Sequence, residues 1–214
     1  MKNKITKTFI AQFLPENPVI IEAGAHKGKD TLALANQWPH GQIHAFEPTE
    51  IYEQLAYNTF FYSNIHAYNI ALDAQTSEKK MYSCKGKYSR LSSLHEPSDY
   101  FTQNPKFSFN EIKIKTITLN EWAQQNKITA IDLLWLDAQG AELRILNGAS
   151  DILKNTKLLF LEANSVERYE KGVLYDELKK WVLKNDFEEL ATDEEIVNGR
   201  FNVLFIKKGL ERKI

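Results

Sequence analysis

Three short stretches set acidic residues beside turn formers, glycines in two of them and a proline in the third. Glu22-Ala23-Gly24-Ala25-His26-Lys27-Gly28 follows the β-branched run Val19-Ile20-Ile21, Phe46-Glu47-Pro48 closes Gln42 to Phe46, and Asp137-Ala138-Gln139-Gly140-Ala141-Glu142 follows the apolar run Ile131 to Leu136. Gly24 lets the chain turn sharply, and Gly28 lets a helix start approach a ligand with no side chain in the way. The Gly-x-x-x-Gly spacing lacks the Gly-x-Gly-x-x-Gly pattern of dinucleotide folds. Glu47 stands 25 residues after Glu22, at the next strand end, where a carboxylate can accept both hydroxyls of a ribose. Asp137 and Glu142 converge on the same edge, Glu142 at a helix start whose dipole favours negative charge. Two acids in one crevice are costly unless they bind a cation or share a proton. The site therefore reads as one for an adenosine-containing ligand with no pyrophosphate to cradle, and S-adenosylmethionine is such a ligand. The structural alternative makes Glu47 a solvated residue before a proline turn and Asp137 and Glu142 helix-end residues.

The elements that must position these residues alternate. Val19 to Ile21, Gln42 to Phe46 and Ile65 to Leu72 read as strands, with helices over Lys29 to Trp38 and from a Thr49 N-cap through Phe61. That alternation predicts right-handed crossovers and a parallel sheet. Asp73 to Asn110 breaks the pattern and reads as an insertion of short strands and loops over one end of the sheet. Its Tyr88, Phe101 and Phe107 either stack on an acceptor or form core. Alternation returns at Ile112 to Ile117, followed by helix over Thr118 to Gln125, strand over Ile131 to Leu136, and helix over Ala141 to Leu153, interrupted near Gly148. A strand at Leu158 to Leu161 and an amphipathic helix at Val173 to Lys184, with Leu174, Leu178, Trp181 and Val182 on one face, come next. Phe187 to Ala191 and Phe201 to Ile206 close the sheet as an antiparallel pair. Residues 1–17 form an N-terminal helical extension, with Ile5, Phe9 and Phe13 on one face.

With 214 residues the chain fits one domain, 1–214. A formal charge of −1 supplies no basic field for nucleic acid or anionic lipid, so neither is an expected partner. No apolar run approaches the ~20 residues that cross a bilayer. Cys84 is the single cysteine, expected as an inert strand residue. The expectation is a soluble, cytoplasmic protein.

Taken jointly, the motifs resemble the FkbM family of S-adenosylmethionine-dependent methyltransferases. The resemblance runs through Glu22 to Gly28, Phe46-Glu47-Pro48, Ser92-Ser93-Leu94, Ile117 to Trp122, Asp137 to Glu142, Leu146-Asn147-Gly148-Ala149 and Leu161-Glu162, in consistent order from Val19 to Glu162. It implies a class I methyltransferase (Rossmann-like) α/β fold: a mostly parallel seven-stranded sheet, last strand antiparallel, helices on both faces. It also implies O-methylation of a small molecule, typically a sugar or natural product. Two positions depart from the family pattern. His26 replaces a small polar residue, and Gln139 stands where an acid is frequent, which removes one metal ligand or base.

On this reading Glu22, Gly24, Ala25, His26, Gly28, Glu47, Pro48, Asp137 and Glu142 bind the cofactor. Asp137 is the first candidate for base, with His95 in the inserted region and Glu162 as further catalytic candidates. Glu162 and Asn164 could join Asp137 around Mg²⁺, but polar lining of an acceptor pocket explains them as well, and no metal is assigned. Alternative functions are a non-catalytic S-adenosylmethionine-binding module and an NAD(P)-dependent oxidoreductase, the latter disfavoured by the missing glycine.

Overall fold

Residues buried on both faces of a parallel sheet read as continuous apolar runs, and those runs become the central strands. The computed structural model describes residues 5–193 and 198–212. Its strands are β1 (Val19–Ala23), β2 (Gln42–Phe46), β3 (Ile65–Tyr68), β4 (Ala71–Leu72), β5 (Ser77–Cys84), β6 (Phe109–Ile117), β7 (Ile131–Leu136), β8 (Thr156–Asn164), β9 (Phe187–Thr192) and β10 (Arg200–Lys207). Its α-helices are α1 (Lys7–Ala11), α2 (Lys29–Gln37), α3 (Tyr52–Thr59), α4 (Asp99–Thr102), α5 (Leu119–Gln125), α6 (Glu142–Asn147) and α7 (Tyr175–Lys184).

Seven strands form one sheet in the order β3-β2-β1-β7-β8-β10-β9. β1, β2, β3, β7 and β8 pair in parallel, and β10 runs antiparallel between β8 and β9. This is the class I methyltransferase architecture. Side chains alternate across each strand, so neighbouring residues enter opposite cores. Ile21, Leu134 and Leu159 pack with Trp122 of α5, Ile145 of α6 and Leu178 of α7. Ile20, Leu133 and Leu158 pack with Ile10 of α1 and Leu34 of α2. Helices thus cover both faces.

Several local expectations are corrected. The run Ile65 to Leu72 is two strands, interrupted at Asn69-Ile70, where the exposed Asn69 donates its side-chain amide to the carbonyls of Glu47 and Thr49. β4 then leaves the main sheet and pairs with β6, which also carries β5 in a three-stranded sheet. The N-cap position of α3 is Ile51, two residues on from Thr49, whose hydroxyl accepts the Ile51 amide at 3.3 Å and donates to Glu47. Leu174 is exposed, leaving Leu178 and Val182 as the buried stripe of α7. At the N-terminus the expected Ile5, Phe9 and Phe13 do pack on the core, joined by the buried Ile10 and Leu14. Positions 1–4 of the expected N-terminal extension lie outside the described residues.

Candidate active site

The exits of β1, β2 and β7 are fastened together by backbone bonds. The amides of Gly24 and Ala25 both donate to the Phe46 carbonyl at 3.1 Å, and the Asp137 amide donates to the Ala23 carbonyl at 3.0 Å. Gly24 has φ +87°, and a Cβ there would collide with the Asp137 carbonyl oxygen. Only glycine fits a positive φ in such close approach to another chain segment.

Glu47 is held by that same loop. One carboxylate oxygen accepts the His26 amide at 3.0 Å, and the other accepts the Thr49 amide at 3.0 Å and the Thr49 hydroxyl at 2.5 Å. Burial raises its pKa against the lowering effect of these bonds. The oxygen facing Thr49 has both lone pairs engaged, whereas the oxygen that takes the His26 amide keeps one for a further donor, as a ribose hydroxyl requires. Glu22 lies behind Gly24 and accepts the Thr31 hydroxyl at 2.6 Å. Burial pushes its carboxyl up to about 8, and that bond only partly offsets the effect.

The loop after β7 carries Asp137 into the crevice. Gln139 takes a left-handed φ of +53°, and its amide nitrogen donates to Asp137 Oδ1 at 2.6 Å and to Glu162 Oε2 at 2.8 Å. Arg200 pairs with the other Glu162 oxygen at 3.2 Å. Burial raises both carboxyls, and the nearby Asp137 charge raises Glu162 further.

These walls enclose a cavity of about 270 Å³. Of the expected residues, Glu22, Gly24, Ala25, His26, Glu47, Pro48 and Asp137 line it together. The others do not. Gly28 caps α2 at φ +86°, and a Cβ there would press on Leu55 at 3.0 Å, so its need is packing against α3. Glu142 is fully buried beneath the loop, one oxygen accepting the Ala138 and Gly140 amides at 2.9 and 3.2 Å. Burial, with Asp137 nearby, pushes Glu142 up to about 7. Glu162 stands behind Gln139. His95 bonds the Glu170 carbonyl at 3.1 Å and is absent from the wall.

The roof was less legible. Met81, Ser89, Arg90, Ser92 and Leu94 close the cavity over the sheet edge, and His26 bonds the Ser89 hydroxyl at 2.9 Å. Burial, then Lys27 and Arg90, lower the His26 pKa and favour the neutral ring. The sequence places the 73–110 insertion over this end of the sheet, but of the individual roof residues only Ser92 and Leu94 stand in a motif. Trp135, expected as plain core, also reaches the wall. Tyr88, Phe101 and Phe107 form their own cluster with Tyr169, the core alternative for those rings.

A divalent cation fits poorly at Asp137 and Glu162, whose inward oxygens already accept amide and guanidinium hydrogens. Asn164 lines a separate shallow cleft with Arg168. Among the described residues no group of three or more His, Cys, Asp or Glu is placed to hold a metal, and no helix is long and apolar enough to cross a membrane.

The model of the methyltransferase FkbM domain matches residues 22–189. The 2-O-methyltransferase NoeI of Sinorhizobium fredii is 22% identical over 174 residues, 78% of this chain and 72% of that protein. The methyltransferase sdnD of Sordaria araneosa is 26% identical, covering 85% of this chain and 80% of its own. The crystal structure of methyltransferase FkbM from Methylobacillus flagellatus superposes with a TM-score of 0.57 at 15% identity over 89% of this chain, which spans 44% of that protein. Magnesium protoporphyrin IX methyltransferase from Synechocystis gives 0.52 at 11% identity, covering 90% of this chain and 71% of that one. Motifs, sheet order and family match agree: the chain is a methyltransferase and belongs to the FkbM methyltransferase domain family.

Proposed function

We propose that the chain binds S-adenosylmethionine in this cavity and transfers its methyl group to a hydroxyl oxygen of a small molecule, a sugar or natural product. One observation carries the reading: Glu22, Glu47 and Asp137, from three different strand exits, line a single cavity around Gly24. The Synechocystis structure has S-adenosylmethionine bound on a similar sheet, and NoeI is named a 2-O-methyltransferase. A formal charge of −1 favours a small acceptor over nucleic acid.

The bound cofactor supplies a methyl carbon activated by a positive sulfur. The chain's own residues do the rest. Glu47 accepts a ribose hydroxyl on the oxygen that also takes the His26 amide, and the Gly24-Ala25-His26 backbone leaves the cofactor room beside β1. Glu22 and Asp137 place acid beside cationic groups, which favours their ionisation. Asp137 also orients the acceptor hydroxyl and takes its proton as the oxygen–carbon bond forms and the carbon–sulfur bond breaks, a role that contributes on the order of 10²–10⁴-fold. The roof excludes water and confines the acceptor.

The test is tritiated-methyl transfer to a panel of hydroxylated sugars and natural products, in wild type and Asp137→Asn. Transfer to oxygen that falls in the variant while S-adenosylhomocysteine affinity holds supports the assignment. Cofactor affinity without transfer to any acceptor supports a binding module instead. Wild-type turnover in Asp137→Asn removes Asp137 as base.

A further inference from the structure

Gln139 is buried at 4% exposure and holds a backbone conformation that non-glycine residues rarely adopt. Four hydrogen bonds fix it there. The Ser93 hydroxyl donates to its carbonyl at 2.8 Å, the Tyr169 hydroxyl donates to its side-chain oxygen at 3.2 Å, and its amide nitrogen spans Asp137 and Glu162. The two carboxylates set the carboxamide orientation, because both accept from the NH₂ and the oxygen is left toward Tyr169. Tyr169 spends that hydroxyl on the Leu91 carbonyl as well, at 2.8 Å, so inserted segment and β7 loop are tied at one point.

We propose that Gln139 is a positioning residue that clamps Asp137 and Glu162 into one acid–base pair holding a single proton, with Glu162 as the store behind the cavity-facing Asp137. The proposal rests on the methyl-transfer reading for its role in turnover, although the pair itself is a property of the free protein. Two carboxyls held on one NH₂ group cannot both ionise cheaply in a buried site. Arg200, at 3.2 Å from the outer Glu162 oxygen, supplies one positive charge and so accommodates one negative charge on the pair. Burial raises both carboxyls, the direction that keeps a proton present near neutrality. The other ionisable groups facing the pair are Glu142 from α6, Asp30 from α2, Glu22 from β1, and Arg168 and Tyr169 from the segment after β8. When an acceptor hydroxyl gives up its proton, Asp137 takes it with the oxygen keeping the electron pair, and the pair must be in its fully ionised form at that moment. A cationic ligand beside Asp137 favours that form.

Infrared difference spectroscopy on the free full-length protein tests the pair directly. Beside the bands of the protonated Glu22 and Glu142, wild type should show one further protonated-carboxyl band that vanishes in Asp137→Asn and equally in Glu162→Gln, because either change lets the remaining acid ionise. Two independent acids would each lose only their own band, and that result overturns the proposal. Gln139→Gly, which tolerates the positive φ, should move the band's titration midpoint to higher pH, since two hydrogen bonds to the ionised form are gone; an unmoved midpoint also overturns it. Calorimetry with S-adenosylhomocysteine on the same samples separates the two claims. Absent affinity in wild type sinks the cofactor reading and leaves the infrared result standing, whereas retained affinity in Gln139→Gly shows the loop is folded. Proton release measured in buffers of different ionisation enthalpy should be larger for S-adenosylmethionine than for S-adenosylhomocysteine in wild type, and this difference should shrink in Glu162→Gln; an equal difference in both proteins contradicts the store.

Discussion

Glu22→Gln should change how stability depends on pH while leaving the fold intact. The folded carboxyl sits at about 8 against an ordinary value of 4.5, chiefly because burial disfavours its charge. A carboxyl raised in the folded state contributes fully below 4.5 and loses that contribution as pH climbs through 8, since the unfolded chain ionises freely. At 1.36 kcal/mol per pH unit, the wild type loses roughly 2–3 kcal/mol from this group between pH 6 and pH 9. Glutamine keeps the shape and an oxygen to accept the Thr31 hydroxyl, but it cannot ionise. The melting-temperature gap between variant and wild type should therefore widen by roughly 5–10 °C over that interval, using ~2–4 °C per kcal/mol for a chain of this size. Differential scanning calorimetry on ligand-free protein at several pH values reads it. Glu142, also raised, adds the same slope to both proteins, so the difference isolates Glu22. Parallel melting curves would refute a neutral Glu22.

Gly24→Ala should cost roughly 2–4 kcal/mol and remove S-adenosylhomocysteine affinity, because its methyl group overlaps the Asp137 carbonyl; unchanged melting and binding would contradict the packed turn. Asp73→Asn breaks a two-point pair with Arg144 at 2.7 and 2.8 Å and should cost roughly 2–3 kcal/mol in urea unfolding, less than a fully buried pair because Arg144 is 32% exposed. A change below about 0.5 kcal/mol would mean the pair is a surface contact. Cys84 is buried and burial raises its thiol, so a disulfide thiol reagent should label it only after denaturation.

The legible parts of the fold are those where one local signal sufficed. Ile131 to Leu136 is apolar but for Asp132 and became the central β7, and Gly24, Glu47 and Asp137 mark strand exits that sheet topology brings together. The illegible parts depend on tertiary choice. Nothing local in Asn69-Ile70 says that the chain leaves the main sheet; it does so where the exposed Asn69 donates its side-chain amide to the carbonyls of Glu47 and Thr49. Glu142 looks like a ligand because a helix start favours acids, yet it stands behind the cavity wall with one oxygen taken by the Ala138 and Gly140 amides. Gly28 shows the same ambiguity, since a positive φ serves helix packing as well as ligand approach. The roof residues Met81, Ser89 and Arg90 carry no motif, and only the folding of β5 against β6 brings that segment over the cavity.

The central claim is tested most directly by titrating S-adenosylhomocysteine into wild type and Glu47→Ala by calorimetry, with melting temperature followed in parallel. One-to-one binding to wild type, weakened by roughly 1–3 kcal/mol in the folded variant, is the predicted result. No heat with wild type, or equal affinity in a folded Glu47→Ala, contradicts an adenosyl site at the exits of β1 and β2.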